Sequence, residues 1–250
     1  MNCALCGLTE NLRDSHILPE FFFKSMYDHK HRMASISSNP NIPIRTHQKG
    51  HREKLLCDAC EQKLSLLEST AKNQIFDRIW NHQAKNSRDE LMLVQLSYPQ
   101  VRLFFISILW RMGVSSLSLY SKVKLGVHEE ILRQMLLSDN PGLPDQYGCI
   151  VMFVFQESST KPHYLVRASP SKVEGQTLYR LMCAGMVLSF FVCSQPVPVD
   201  YKAGLLLPTD DAELEEQPSQ NGSMLISGID LEDIDFFQQG LAKIRNKRRA

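Results

Sequence analysis

Two Cys-x-x-Cys pairs, Cys3/Cys6 and Cys57/Cys60, lie about fifty residues apart and constrain this chain more than any other feature of its sequence. A tight turn through Cys-x-x-Cys points both sulfurs the same way, so each pair presents two thiolates to a single ion. Two pairs complete the tetrahedral shell of Zn²⁺, with Zn–S distances of ~2.3 Å. The expected zinc is structural, because four sulfurs close the shell and leave no position for a substrate. Redox-active thiols are the other reading of such pairs, but no thioredoxin-like βαβ pattern surrounds either one. Cys149, Cys183 and Cys193 sit in apolar runs ("GCIVMFVF", "LMCAGMV", "FFVCS") and read as buried thiols.

The two pairs have different settings. Gly7 follows Cys6 and suits the positive φ that a knuckle turn needs. The second pair, in "KLLCDACEQKLSLLEST", follows an apolar extended segment and runs into an amphipathic helix. A knuckle followed by a helix-start pair is the treble-clef plan. The expected fold class is therefore α+β, with a zinc treble-clef module over residues 1–70 and an α+β region of unassigned role over 71–250. Within the latter, 71–138 reads as helical, 147–208 as strand-rich and 209–250 as a polar C-terminal segment. "TLYRLMCAGMVLSFFVCS" fits strands or a helix, and "DLEDIDFFQQGLAKIRNK" fits a short helix.

Composition excludes several classes. The 250 residues are 43% hydrophobic and 22% charged with a formal net charge of +1, so no global charge marks a nucleic-acid binder. "MNCALCGLTE" carries no apolar signal-peptide core. The run Val101–Leu109 is interrupted by Arg102 and followed by Arg111, and Leu181–Ser194 falls short of the roughly 20 residues a spanning helix needs. These features point to a soluble, cytoplasmic protein with no membrane partner.

Between the pairs, "DSHILPEFFF" (residues 14–23) runs a polar triplet straight into an apolar block. It reads as a short strand that brings the His16 imidazole to the edge of a packed core. Two roles remain open for His16: a reacting group, or a structural ring packed on Phe21, Phe22 and Phe23 and satisfied by a backbone carbonyl.

The order Cys3-Cys6, Ser15-His16-Ile17-Leu18-Pro19, Leu56-Cys57-Asp58-Ala59-Cys60-Glu61-Gln62-Lys63 resembles the zinc-supported branch of the HNH (ββα-metal) endonucleases. The resemblance covers about the first 65 residues, and the whole chain is also similar to bacterial proteins that share these elements. It implies metal-dependent hydrolysis of phosphodiester bonds in DNA, with RNA as the other substrate class, in a setting of bacterial defence. His16 would act as general base, and Glu61 on the helix would hold Mg²⁺ or another divalent cation. Three positions depart from the family pattern. Ser15 stands where the family has Asp, with Asp14 one place earlier and facing the opposite side of a strand. Glu61 stands where the family has His or Asn, and His51 or Arg52 falls at the family's middle Asn. The alternative implied function is a catalytically degenerate zinc module of this fold that binds nucleic acid or a protein partner.

Local charge agrees with a nucleic-acid partner. Between residues 24 and 54, Lys24, Lys30, Arg32, Arg45, Lys49, Arg52 and Lys54 face only Asp28 and Glu53, an excess of five positive charges. Lys49, Arg52 and Lys54, in "RTHQKGHREK", are the expected phosphate contacts; a solvated basic loop is the other reading. His47 and His51 are spaced to share a metal on a helix, but Gly50 argues against a helix there. The tail "KIRNKRRA" reads as a nucleic-acid arm or a frayed soluble end. Trp80 and Trp110 lie in periodic apolar segments and read as core. Glu129 and Glu130 beside His128 read as helix-start acids rather than a metal cluster.

Overall fold

The computed structural model describes residues 1–36, 43–48, 50–85, 89–155, 164–193, 195–209, 220–230 and 234. Lys49, the acidic run 210–219 and the basic tail therefore lie outside the described residues, as does the expected C-terminal helix apart from Asp230, which ends a strand, and Ile234.

The first strand is β1 (Asp14–His16), and the apolar block after it folds as helix α1 (Glu20–Met26). The three phenylalanines thus leave the strand. Pro19 precedes the helix with an extended backbone, a natural place for proline at a helix start. Phe22 and Phe23 become fully buried, and Phe21, Phe22, Phe76, Trp80 and Phe104 form a chain of ring contacts, with Phe22 and Phe76 4.9 Å apart edge to face. Strands β2 (Met33–Ile36) and β3 (Arg45–His47) follow, then β4 (Arg52–Lys54) and helix α2 (Asp58–Ala71). One wide helical turn (Lys72–Phe76) carries α2 into α3 (Asp77–Ala84).

Strand β5 (Leu91–Ser97) leads into α4 (Tyr98–Val114), in which every residue from Val101 to Met112 is buried. An all-round buried helix is a central one, and α4 packs against both α2 and α5 (His128–Leu137). Its two arginines are buried as well. Arg102 donates to the carbonyls of Pro141, Leu143, Pro144 and Gln146. Arg111 pairs with Glu68 on α2 at 2.7 Å and donates to the His16 carbonyl at 2.9 Å. Both guanidiniums thus meet the requirement that buried charge be paired or hydrogen-bonded. At the start of α5, Glu130 pairs with Arg133 and the His128 Nδ1 meets the Tyr147 hydroxyl.

The C-terminal half supplies β6 (Cys149–Phe155), β7 (Tyr164–Val173), β8 (Gln176–Cys183), β9 (Met186–Val192), β10 (Leu207–Pro208) and β11 (Asn221–Asp230). The ambiguous stretch around Cys183 is the β8–β9 hairpin. Its two-residue turn, Ala184-Gly185, has both residues at positive φ, the conformation that matches strand twist in a tight hairpin. Trp80 and Gln83 on α3 donate to the Ala184 and Gly185 carbonyls and lock that turn to the helical layer. Among the described residues, one sheet runs in the order β10-β11-β6-β9-β8-β7-β2-β3, with β5 paired to β11. The segment between β1 and β4 therefore leaves their two-stranded ribbon and adds β2, parallel to β7, to the large sheet. Helices and strands are both abundant, as α+β requires. No helix of the described residues is long and apolar enough to cross a membrane.

Candidate functional site

The four cysteines converge. Cys3 is placed by a knuckle in which the Gly7 N–H donates to the Cys3 carbonyl at 2.9 Å, and Gly7 itself has φ +78°. Ala4 N–H reaches the Leu55 carbonyl at 3.0 Å, joining that knuckle to the segment ahead of Cys57. Cys57 caps α2, and Cys60 lies in its first turn. The ligand atoms of Cys3, Cys6, Cys57 and Cys60 all lie within 4.8 Å of one another. Cys6 Sγ and Cys57 Sγ are 3.7 Å apart. A tetrahedral ZnS₄ unit with 2.3 Å bonds has edges of about 3.8 Å, so the donor set fits zinc in number, softness and spacing. Burial opposes ionisation of Cys3, yet backbone N–H groups of Cys57, Cys6 and Leu5 bring its thiol down to about 7. Burial and the neighbouring sulfurs push Cys60 upward. Four sulfurs this close could hold a dication between them. Arg133 on α5 donates to the Leu5 carbonyl inside the knuckle, and Lys63 pairs with Asp139 at 2.9 Å, so the cysteine cluster is fastened to the helical layer.

Beside the cluster, β1 and β4 pair antiparallel with Asp14 opposite Lys54, Ser15 opposite Glu53 and His16 opposite Arg52. Alternation along β1 sends Asp14 and His16 to one side and the fully buried Ser15 to the other. The side bearing His16 opens on a cleft of about 1110 Å³, which is also lined by Glu61 from the first turn of α2. His16 and Glu61 therefore share one cavity, with Asp14, Arg52 and Lys54 on its walls. The cleft lining carries five acids (Glu10, Asp14, Glu20, Asp58, Glu61) and three cations (Arg13, Arg52, Lys54). Asp14 pairs with Lys54 at 3.2 Å, and Arg13 pairs with Asp58.

The His16 ring stacks on Phe23 with centroids 6.1 Å apart, and Gly50 approaches its edge closely enough that an added Cβ would lie 3.1 Å from Cδ2. Burial first, and then the charge of Arg52, hold the imidazole down to about 4, so it is neutral near pH 7. Its Nε2 accepts the Arg52 Nε–H at 2.7 Å. Glu61 Oε2 is buried and has no hydrogen-bond partner among the described residues. The cysteines are nevertheless the one group of three or more metal-ligating side chains among the described residues whose donor atoms converge within 4.8 Å; the cleft carboxylates do not form such a group with His16.

His47 ends β3 and His51 follows outside any helix, with their rings 5.0 Å apart and T-shaped. Burial also lowers His51, to about 4. Trp110 is fully buried and Trp80 half-buried, as core residues. The sequence reading did not single out Arg111, which grips the His16 carbonyl, or Glu20, which lines the cleft and lies 3.5 Å from Arg52. An arginine inside an apolar helix was the available signal for Arg111. No family model, curated protein or solved structure matches the chain.

Proposed function

We propose that the cleft beside the cysteine cluster hydrolyses phosphodiester bonds of nucleic acid, DNA foremost, in the manner of an HNH-like endonuclease built on a zinc treble clef. The observation that carries this reading is the shared cavity: a neutral imidazole on β1 faces the same cleft as a carboxylate with an unpartnered oxygen at the start of α2. The order of strand, strand and helix around the cysteines supports it. A neutral imidazole is the form that takes a proton from water, so His16 serves as general base. Glu61 would hold a divalent cation of the Mg²⁺ type, which when bound offsets the charge developing on the phosphate and leaving oxygen. The acidic balance of the lining makes such a cation a requirement for admitting a phosphate. Arg52 and Lys54 on β4, with Lys49 just before them, neutralise the flanking phosphates.

Cleavage of plasmid DNA and of single-stranded RNA with Mg²⁺ or Mn²⁺ tests the proposal. His16→Ala should lower cleavage by ~10²–10⁴-fold while zinc content stays constant. Glu61→Gln should raise the divalent-ion concentration needed. Absence of cleavage by the wild type with either ion would sink the enzyme reading.

The second reading, a zinc module that binds nucleic acid without cutting it, draws on Ser15. The family's acidic position is here a buried hydroxyl bonded to the Leu56 N–H, so it adds no carboxylate to the cleft. On that reading DNA affinity falls steeply with salt. Replacing Lys49, Arg52 and Lys54 with alanine then flattens the log–log slope by up to about three units.

A further inference from the structure

His16 reaches the cleft with its accepting nitrogen already occupied. The Arg52 Nε–H donates to His16 Nε2 at 2.7 Å, and the same guanidinium lies 3.5 Å from Glu20 Oε1. The fold sets this arrangement: His16 and Arg52 are directly opposite partners on β1 and β4, and Glu20 opens α1 a few residues after His16. Around the imidazole stand Glu20 and Lys24 from α1, Arg52 from β4 and Arg111 from α4. A guanidinium keeps its charge at every pH at which proteins fold. While Arg52 holds Nε2, the lone pair has no access to the proton of a water molecule.

The grip is built to be released. Arg52 and Glu20 are 45% and 49% exposed, so their ion pair is a solvated and weak one. A phosphodiester offers the planar fork of a guanidinium two non-bridging oxygens that share a negative charge, a stronger pairing than one hydrogen bond to a neutral ring. We infer that Arg52 is a phosphate-operated latch: phosphate entering the cleft draws the guanidinium off His16 Nε2 onto its own oxygens, and that one movement both charges the phosphate site and frees the base. This inference rests on reading the cleft as a phosphodiester site. Glu20 is the counterweight, since it competes with the phosphate for Arg52. A cleft without phosphate is then a cleft without a working base, which limits water activation to moments when a target is in place.

The test is nuclear magnetic resonance on the full-length, zinc-loaded, ¹⁵N-labelled protein, reading the nitrogen–nitrogen coupling across the Arg52–His16 hydrogen bond. The protein in Mg²⁺ at pH 7 should show the coupling, and saturating inorganic phosphate added to that sample should abolish it and raise the His16 titration midpoint. Glu20→Gln should lose the coupling at several-fold lower phosphate. Arg52→Gln should show neither the coupling nor any response of His16 to phosphate. Coupling that survives saturating phosphate, or an Arg52→Gln protein whose His16 responds as the wild type does, would overturn the latch. Failure of the nuclease reading is separate and visible: no DNA or RNA is cut, while phosphate still removes Arg52 from His16.

Discussion

The Ser15 hydroxyl accepts the Leu56 backbone N–H at 3.2 Å, and Leu56 immediately precedes Cys57. One buried hydrogen bond thus ties the strand that carries His16 to the segment that delivers the second cysteine pair. Ser15→Ala should cost about 1–3 kcal/mol, because the Leu56 N–H is left buried and unpaired. Ser15→Asp should cost more, since it places a carboxylate at a position with no solvent exposure. Denaturant titration of the zinc-loaded proteins checks both. A Ser15→Asp protein of unchanged stability with tighter divalent binding would mean that the side chain turns to the cleft.

Removing the metal should unfold the N-terminal part rather than merely silence it. Structural zinc in a four-cysteine site contributes on the order of 10 kcal/mol in small modules. Elemental analysis of protein purified under reducing conditions should return about one zinc per chain, and Cys57→Ala should lose it. A strong chelator should lower the melting temperature steeply. A metal-free protein with unaltered melting would contradict the assignment.

Acid should destabilise the fold through histidines as well as carboxylates. His16 and His51 sit at about 4 when folded, against an ordinary value near ~6.5. Between these limits the unfolded chain binds protons that the folded chain refuses. The contribution of each ring is therefore intact above pH ~6.5, is lost as pH falls toward 4, and is level below that. The slope approaches about 1.4 kcal/mol per pH unit for the well-buried His51 and is smaller for the partly solvated His16. Melting temperatures measured from pH 7.5 to 4 should fall along this curve, and His51→Phe should flatten it.

Arg111 links α4, α2 and β1 through Glu68 and the His16 carbonyl. Arg111→Met leaves Glu68 without its cation and should cost about 3–5 kcal/mol, whereas the double change with Glu68→Leu should recover much of the loss. Chemical denaturation of the single and double variants measures the coupling.

Gly50→Ala tests the wall behind the imidazole. The new methyl would meet Phe23 Cδ2 at 2.7 Å and His16 Cδ2 at 3.1 Å, so one ring must move. A loss of about 1–3 kcal/mol is expected, together with a changed His16 ring resonance.

What could be read in the sequence was what is local. Cys-x-x-Cys spacing states its own chemistry, and alternation through Asp14, Ser15 and His16 already separated their two sides. The apolar runs of β6 and β7 stood out between turn residues. Strand β5 did not, because "LMLVQLS" lies between helical segments and its partner, β11, is over a hundred residues away. Strand β11 was hidden in turn by Asn221, Gly222 and Gly228, residues that read as loop until both neighbouring strands are in place. Arg102 and Arg111 looked like interruptions of an apolar run, yet each fills its helix position because carbonyls from distant loops, or Glu68, receive it. The parallel pairing of β2 with β7 leaves no periodic trace at all.

The place of β11 in the sheet also sets a timetable for biosynthesis. The four cysteines of the candidate metal site leave the ribosome well ahead of β11, so a metal ion could be captured while the sheet is still open. Strand β11, which bonds to β5, β6 and β10, emerges only after residue 220. Until then β5 has no partner among the described strands and β6 keeps one open edge, the kind of surface that chaperones shield and that nascent chains aggregate through. A chain that takes up metal at these cysteines would thus be loaded early and close its sheet late.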